Sequence, residues 1–553
     1  MEPIAVIGRV HALADTGGDV PDGLGVCDST LTWIHHAEEK QFVFNRVVDA
    51  NESPTDVVGG DMVVAAAAGM NTAVFAIGQS TTLFGPDGII AYVAKGLLVA
   101  QCSVALSLVE IYGDMATDVL HGNAHVFRPQ YHPLIGGYGA DVARIDVPDV
   151  AMLVQVLRLG IRAMAIDAIV TNKTTTKSSR VVTLHVTSMD GKRWSRVDFV
   201  DMAAPGNARR PLVPGDVGYR LEQVWFENLG TLRLAMLLRG IRNVVEPNAY
   251  GAAYIVSQIE GDVQGERDHL DKVKRQLSSA ASKSLHQDSV EVDHQSARTK
   301  IKALESVVHA FQKSALERAD DWLKFKRRVD NDETKLGSKV VASDRTIHHL
   351  HLVRLHDDRL FSGVIAYHVA AADSKMSRDS TADIVLVGGG TCVSAAHCEL
   401  HVPVPGTVEV VVVGAPSVVC LVNGRPLAAG AAPRALVHGD TLTCGSRNVF
   451  RVVHPDETIH PSSRDDIQHV KTYRDAWLDR GAVLQTYRHP LANTLTHDEA
   501  QRRCHAALTS ILDRIASIRT MFAQSVVDVD DERDVHDVML QVRVAIPPTF
   551  AQP

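Results

Sequence analysis

The sequence predicts an α/β region, then a helical connector, an all-β sandwich and a helical C-terminal region, in that order along 553 residues. Three observations carry this. Residues 1–260 interleave short β-branched runs with longer amphipathic patterns. From about 262 to 330 the composition turns polar and helix-forming, and 347–457 breaks into short apolar strands bounded by Gly, Pro and Asn.

Composition is consistent with such a layout. With 45% hydrophobic and 22% charged residues the chain is globular in makeup, and long enough for several domains that each bury a core. The 56 Lys+Arg against 65 Asp+Glu leave a formal charge of −9, which excludes a general nucleic-acid binder relying on a basic field to release phosphate counterions. Seven cysteines contain no Cys-x-x-Cys pair, so neither a disulfide framework nor a zinc ribbon is signalled, and a reducing compartment fits. The pairs His35-His36 and Cys504-His505, and Cys392 near His397-Cys398, lack metal-ligand spacing. The opening MEPIAVIGRV has no basic segment leading into a long apolar run, so no secretory signal is expected.

In the first region the runs 73–77, 104–111, 181–186 and 197–200 read as strands, and 149–163 and 221–238 as helices. The most apolar stretch, 88–112, carries Lys95, Gln101 and Glu110 and reads as a buried strand pair rather than a membrane span, so no transmembrane helix is expected. In the connector, Ile301, Leu304, Val308, Phe311, Ala315, Trp322, Phe325 and Val329 recur at spacings of three and four, with Arg318 the single interruption. That is a heptad seam, and it predicts a short coiled coil; the alternative is a lone amphipathic helix packed on a neighbouring domain. Sandwich strands are expected at 360–369, 383–387, 396–402, 408–413, 418–422, 441–444 and 449–453. Amphipathic helical pattern follows over 470–522, then an acidic segment at 528–534.

Six short motifs in collinear order give the first region a family. The stretch GMNTAVFAIGQS at 69–80 resembles the strand and loop entry of a kinesin motor domain, G-x-N-x-x-x-F-A-x-G-Q-T followed by G-x-G-K-[ST]. Upstream, FVFNRVVD at 42–49 resembles the motor's F-x-F-D-x-V-F strand, and Ile4 to Val10 with Arg9 its opening strand. Downstream, Val109-Glu-Ile-Tyr112 with Asp118-Val-Leu120 is similar to E-I-Y…D-L-L, and Phe226, Leu229 and Gly230 match the L-x-x-L-G helix motif. The run HPLIGGY at 132–138 is similar to the H-P-x-x-G-x-Y of the kinesin-3 family. In the third region Ser394, His397, Asn423-Gly424 and His438-Gly-Asp440 resemble a forkhead-associated (FHA) domain. Motor, short coiled coil and FHA domain in that order is the kinesin-3 layout. The implied domains are a kinesin-like P-loop motor over 1–261, a coiled-coil neck over 262–335, an FHA sandwich over 347–460 and a helical region over 465–553.

Within this resemblance the chemistry has gone. A phosphate-binding loop uses glycines to aim backbone N–H groups, a Lys to neutralise charge and a Ser/Thr hydroxyl to hold Mg²⁺. Here the loop reads Gly78, Gln79, Ser80, Thr81, Thr82, Leu83, Phe84, Gly85. Thr81 and Leu83 replace glycines, Phe84 the Lys, and Gly85 the hydroxyl. In switch II, D-x-x-G-x-E corresponds to 201–206: Asp201 persists, while Ala204 and Gly206 replace the Gly and Glu. In switch I, Ser178, Ser179 and Arg180 match S-S-R, but the following Ser-His is Val-Val. The adenine-side R-x-R-P survives as Arg9 alone. The resemblance therefore implies a pseudomotor with remnant nucleotide residues Arg9, Gly78 to Thr82, Phe84, Gly85, Ser178, Ser179 and Asp201. The alternative is an active ATP-dependent microtubule motor, ATP or ADP with Mg²⁺ being its cofactor, rescued by a displaced Lys95 or Lys173. The tubulin-contacting P-Y-R-D-S-x-L-T corresponds to 246–253 and has lost its Arg, which leaves Arg233, Arg239 and Arg242 either as tubulin contacts or as the charges of a solvated helix face. By the FHA resemblance, Arg378, Ser394 and Asn423 would read a phosphothreonine peptide, with His397 a brace; the alternative is that Arg378 is a solvated loop residue and the domain packs on the coiled coil to stabilise a dimer. The expected partners are microtubules, a phosphothreonine-bearing protein and a second copy through the coiled coil, in the cytoplasm on the cytoskeleton.

Overall fold

The structure, a computed structural model, describes residues 2–3, 5–9, 24–27, 29–35, 38–48, 55–77, 83–84, 88–123, 125–171, 178–203, 232, 235–236, 238, 242–243, 250–280, 287–342, 349–356, 358, 360–369, 373–387, 393–403, 407–414, 420–445 and 447–454. All lie in one compact unit, Met1–Val483. The C-terminal helical region expected over 465–553 falls outside them, as does most of the helix expected over 221–238.

Short strands β1 (Glu2–Pro3), β2 (Ile7–Arg9), β3 (Leu24–Cys27), β4 (Thr30–His35), β5 (Glu38–Val43), β6 (Arg46–Val48) and β16 (Arg242–Asn243) form small peripheral sheets, β1 with β16, β2 with β6 and β3-β4-β5, with Leu31, Phe42 and Phe44 in a small core of their own. The central sheet is mixed. Its order is β10 (His125–Phe127), β9 (Met115–Asp118), β8 (Ser103–Tyr112), β14 (Ser178–Thr187), β15 (Trp194–Met202) and β7 (Thr72–Ile77), with β13 (Ile145–Asp146) also on β8. Only β15 and β7 pair in parallel within it.

Side chains alternate across this sheet, as strand pleating requires. Leu106, Leu108, Val182, Leu184, Val197 and Phe199 face helices α1 (Gly60–Ala67), α2 (Ile89–Val99) and α3 (Val150–Val170). Asp149 caps α3 by accepting from Met152 N at 2.7 Å. The expectation of a strand pair over 88–112 is half right. Residues 89–99 are helical because Ile90, Val93, Ala94 and Leu97 repeat at helical spacing and are fully buried against the sheet, and only 103–112 is strand. Among the described residues no helix is long and apolar enough to cross a membrane.

The opposite sheet face is covered by the hairpin β11 (Gln130–His132) and β12 (Gly136–Tyr138) and by two long helices, α4 (Ala252–Ala280) and α5 (Gln287–Gln312). His132 of the HPLIGGY motif bonds Asp262 of α4, Nε2 to Oδ2 at 2.8 Å. A boundary at residue 261 therefore falls inside a continuous helix. The expected coiled-coil stripe is also divided. Ile301 and Leu304 pack with Val307 against Ile255, Ile259 and Val263 of α4, so this part of the seam is buried within the chain. The helix then ends, and Ser314 starts α6 (Ala315–Glu333) with a capping box to Glu317. From α6, Phe325 and Val329 enter the main core instead. These seam residues are buried by the chain's own neighbours, which removes them from a dimer interface.

A β-sandwich follows. Its larger sheet runs β17 (Val340–Ala342), β19 (Ile365–His368), β18 (His351–Leu355), β28 (Asn448–Val453), β27 (Thr441–Cys444), β24 (Cys420–Val422), β25 (Arg425–Pro426). The smaller runs β21 (Ile384–Val385), β20 (Ser374–Ser377), β22 (Cys398–His401), β23 (Val408–Val412), β26 (Arg434–Leu436). Its core is continuous with that of the first region through Phe325, Val329 and Leu336. Arg162 of α3 pairs with Glu333, Arg318 with Asp146 at 2.7 Å, and Arg328 donates to the carbonyls of Val119 and His121, each at 2.7 Å. The connector is thus a packed layer between the two halves.

Candidate functional site

The end of the sheet where a phosphate site was expected is formed by the C-terminal ends of β7 and β15 and the start of β14. Gly78, Gln79, Ser80, Thr81, Thr82 and Gly85 lie outside the described residues. Leu83 and Phe84 are described, and they are 1% and 8% exposed, packed in the main core with Ile89 and Ile90. Ile90 N donates to Leu83 O at 3.3 Å. A Cβ built on Gly88, the N-cap of α2, would lie 2.6 Å from Leu83 O and 2.7 Å from Phe84 O. Carbonyl oxygens crowd the helix start. A phosphate needs N–H groups pointing outward there, and carbonyl dipoles repel it. Lys95 is exposed, seven residues past Gly88 and hence roughly 10 Å along the axis, too far to neutralise charge at the helix start. Lys173 lies outside the described residues. Among the described residues, none supplies the positive charge or the metal-holding hydroxyl that a nucleotide triphosphate with Mg²⁺ requires.

The switch-like residues are brought together for another purpose. Arg180 and Asp201 are direct cross-strand partners on β14 and β15, joined Nη1 to Oδ2 at 2.7 Å. The second guanidinium nitrogen pairs with Asp358 of the sandwich, and the guanidinium carbon stands 4.7 Å from the Phe361 ring centroid. Burial works against the charge of Arg180, and Asp358 and Asp201 more than offset it, raising its pKa. Burial raises that of Asp201, with Arg180 opposing. Ser178 is buried in β14, and Ser179 Oγ accepts from Ala203 N at 3.0 Å, so that amide is already used. Arg9 ends β2, aligned with Val48 of β6. The sequence carried no signal for Asp358, because the pair spans 178 positions.

In the sandwich, Arg378 is exposed and its N–H donates to Ser394 O at 3.3 Å, so those two loops touch. Ser394 Oγ donates to Ala396 O. Asn423 has φ 51° and Gly424 φ 76°, a type I′ hairpin turn, and the Asn423 side chain holds Asp440 at 2.6 Å and Thr441 N at 2.9 Å. His397 is buried, with its carbonyl accepting from Val413 and Gly414. The fold also unites three cysteines far apart in sequence. The sulfurs of Cys398, Cys420 and Cys444 lie within 4.8 Å of one another, all buried, with Cys398 and Cys444 at 3.7 Å across the two sheets. Three soft donors could hold a thiophilic ion, and equally fill a core as small apolar groups.

Comparison with known proteins decides the ancestry of the first region. Residues 27–212 match the kinesin motor domain model. This stretch is homologous to a kinesin motor domain. Human StAR-related lipid transfer protein 9 is 21% identical over 92% of this chain and 13% of its own length. Human Kinesin-like protein KIF1C is 26% identical over 34% of this chain and 19% of the relative. Kinesin-like protein unc-104 of Caenorhabditis elegans is 28% identical over 30% and 12%. The chain thus spans less than a fifth of these relatives' lengths. A solved structure titled "Structure of a fast kinesin: Implications for ATPase mechanism and interactions with microtubules" aligns over 40% of this chain and 71% of that one, at 21% identity and a TM-score of 0.34, too loose to add to the argument. The motor region so identified contains Leu83, Phe84, Arg180 and Asp201.

Proposed function

We propose that the chain is a kinesin-3-like pseudomotor, a nucleotide-independent scaffold on the cytoskeleton rather than an ATPase. The observation that carries this is the burial of Leu83 and Phe84 at the start of α2, with their carbonyls against Gly88. Phosphoryl transfer depends on positioned positive charge at the β/γ-phosphates, and apolar side chains with inward carbonyls supply the opposite field. The Arg180 contacts support the same reading. In a working motor the switch residues move with nucleotide state, whereas here Arg180 is held between Asp201 and Asp358. The FHA-type sandwich then acts as a docked structural module. Arg378, exposed beside the Ser394 loop, favours a second role for it as a phosphothreonine-peptide reader, with Asn423 committed to its own turn. Microtubules are the surface this scaffold would engage, by descent of the motor region.

The test is equilibrium binding of a fluorescent ATP analogue with Mg²⁺ to the full chain, with and without purified microtubules, followed by phosphate release. No saturable binding at millimolar nucleotide, with retained microtubule co-sedimentation, is the expected result. Microtubule-stimulated phosphate release would refute the proposal.

A further inference from the structure

The sheet face opposite the lost nucleotide site encloses a cavity of about 170 Å³ between β8, β14, the β11–β12 hairpin and α5. Strand alternation brings Ser107, Thr183 and His185 to this face, since Leu106, Leu108, Val182 and Leu184 fill the other. Aromatic groups Phe127, Tyr138 and Trp194 make up much of the remaining wall.

The cavity's electrostatics do not balance. Arg196 is matched by Asp198, Nε to both carboxylate oxygens at 2.8 and 2.7 Å. Arg318, nearby, is matched by Asp146. Arg144, on the wall, has neither a carboxylate nor a hydrogen-bond acceptor among the described residues, and its only close partner is the Phe311 ring, 4.5 Å from guanidinium carbon to centroid. Burial pushes its pKa down to about 10, and the charges that act on it, Arg196 and Arg318, are both positive. His185 adds no anion. Burial, Arg144 and Arg196 hold its pKa well below the usual value, so it is neutral, with Nε2 at 3.1 Å from Ser107 Oγ and Nδ1 without a partner. A half-buried cation lacking a counter-charge is costly, and an anion placed beside it recovers that cost.

We propose that this cavity binds a small organic monocarboxylate carried on a flat apolar ring, with the Arg144 guanidinium as its counter-ion. One uncompensated cation matches a single negative charge, and the planar guanidinium fork fits a carboxylate with two parallel hydrogen bonds. A space of this size holds a benzene-sized ring. The site shares no residue with Leu83, Phe84, Arg180 or Asp201, so it stands whether or not the motor region has lost nucleotide binding.

Benzoate and its neutral counterpart benzyl alcohol, titrated against the full chain by calorimetry and ligand-observed NMR, provide the test. The expected result is one saturable benzoate site, with benzyl alcohol weaker by about tenfold or more, as fits a charge-assisted contact. Arg144→Gln should abolish that preference. If this variant does not fold, Ala310→Phe, which fills the cavity from α5, should abolish benzoate binding with the sheet intact. Equal affinity for the two probes, unchanged benzoate affinity in Arg144→Gln, or no saturable benzoate binding up to millimolar concentration would overturn the proposal.

Discussion

Arg180 sits between two carboxylates in a nearly dry environment, its side chain 5% exposed against 13% for Asp201 and 14% for Asp358. Removing the cation leaves two buried carboxylates facing each other, and deleting one member of such a cluster typically costs about 3–5 kcal/mol. Arg180→Met is expected to lose that much in urea unfolding, and Asp358→Asn less, since Arg180 keeps Asp201. Equal small losses would place the cluster in solvent. Asp118, of the D-L-L element, gives a pH-dependent counterpart. It is buried, accepts from Leu120 N and Ala143 N, and burial pushes its pKa up to about 7. The folded state therefore holds a proton that the unfolded state releases near the ordinary carboxylate value of about 4. Through this group, stability falls as pH rises from about 4 to about 7 and is level beyond, because the folded chain binds more protons in that window. Asp118→Asn should flatten that slope, seen as a smaller stability difference between pH 5 and pH 7.5 than in the unaltered chain.

At the scale of elements, the loop into α2 shows why restoring letters does not restore chemistry. Phe84→Lys with Gly85→Thr places a lysine and a hydroxyl where the resemblance expects them, but the lysine replaces a core aromatic beside the Leu83 and Phe84 carbonyls. We expect no Mg-ATP binding and a stability loss of about 3 kcal/mol or more, measured by calorimetric titration and urea unfolding. The connector shows how a correct periodicity can be misassigned. Every third or fourth residue from Ile301 to Val329 except Arg318 is apolar, yet the first part faces α4 and Trp194 and the last part faces the main core. Ser314 and Glu317 form the recognisable stop and start between them, and Ser314→Ala should cost about 1 kcal/mol in unfolding. Periodicity reports that a helix buries one face. It does not name the surface that face meets.

For the whole molecule, one core runs from the sheet of the motor region through Phe325 and Val329 into the sandwich. Both halves should therefore unfold in a single transition, followed by fluorescence and hydrogen exchange together, and Phe325→Ala should lower it by about 3–5 kcal/mol. Two transitions, with only one of them shifted, would show separate cores. Most strands of both halves were legible, because β-branched runs with turn residues on either side constrain backbone and burial at once, as at 73–77, 181–186 and 441–444. The helix at 89–99 was not. A short helix buried on most sides reads like a strand, since its exposed positions within 89–99 are Tyr92, Lys95 and Val99, of which only Lys95 is charged and marks the period.

The sequence by itself determined the order of α/β region, helices and sandwich, the likeness of residues 27–212 to a kinesin motor domain, and a run at 81–85 of Thr, Thr, Leu, Phe and Gly that contains no lysine. These are properties of local pattern and residue type. Only the tertiary structure decided that Leu83 and Phe84 are buried at the start of α2, that Asp358 holds Arg180, that Cys398, Cys420 and Cys444 meet, and that Arg144 faces a cavity without a counter-charge. Each of these depends on which distant segments share a neighbourhood. Charge balance and desolvation are set by that neighbourhood in three dimensions, and no spacing along the chain encodes it.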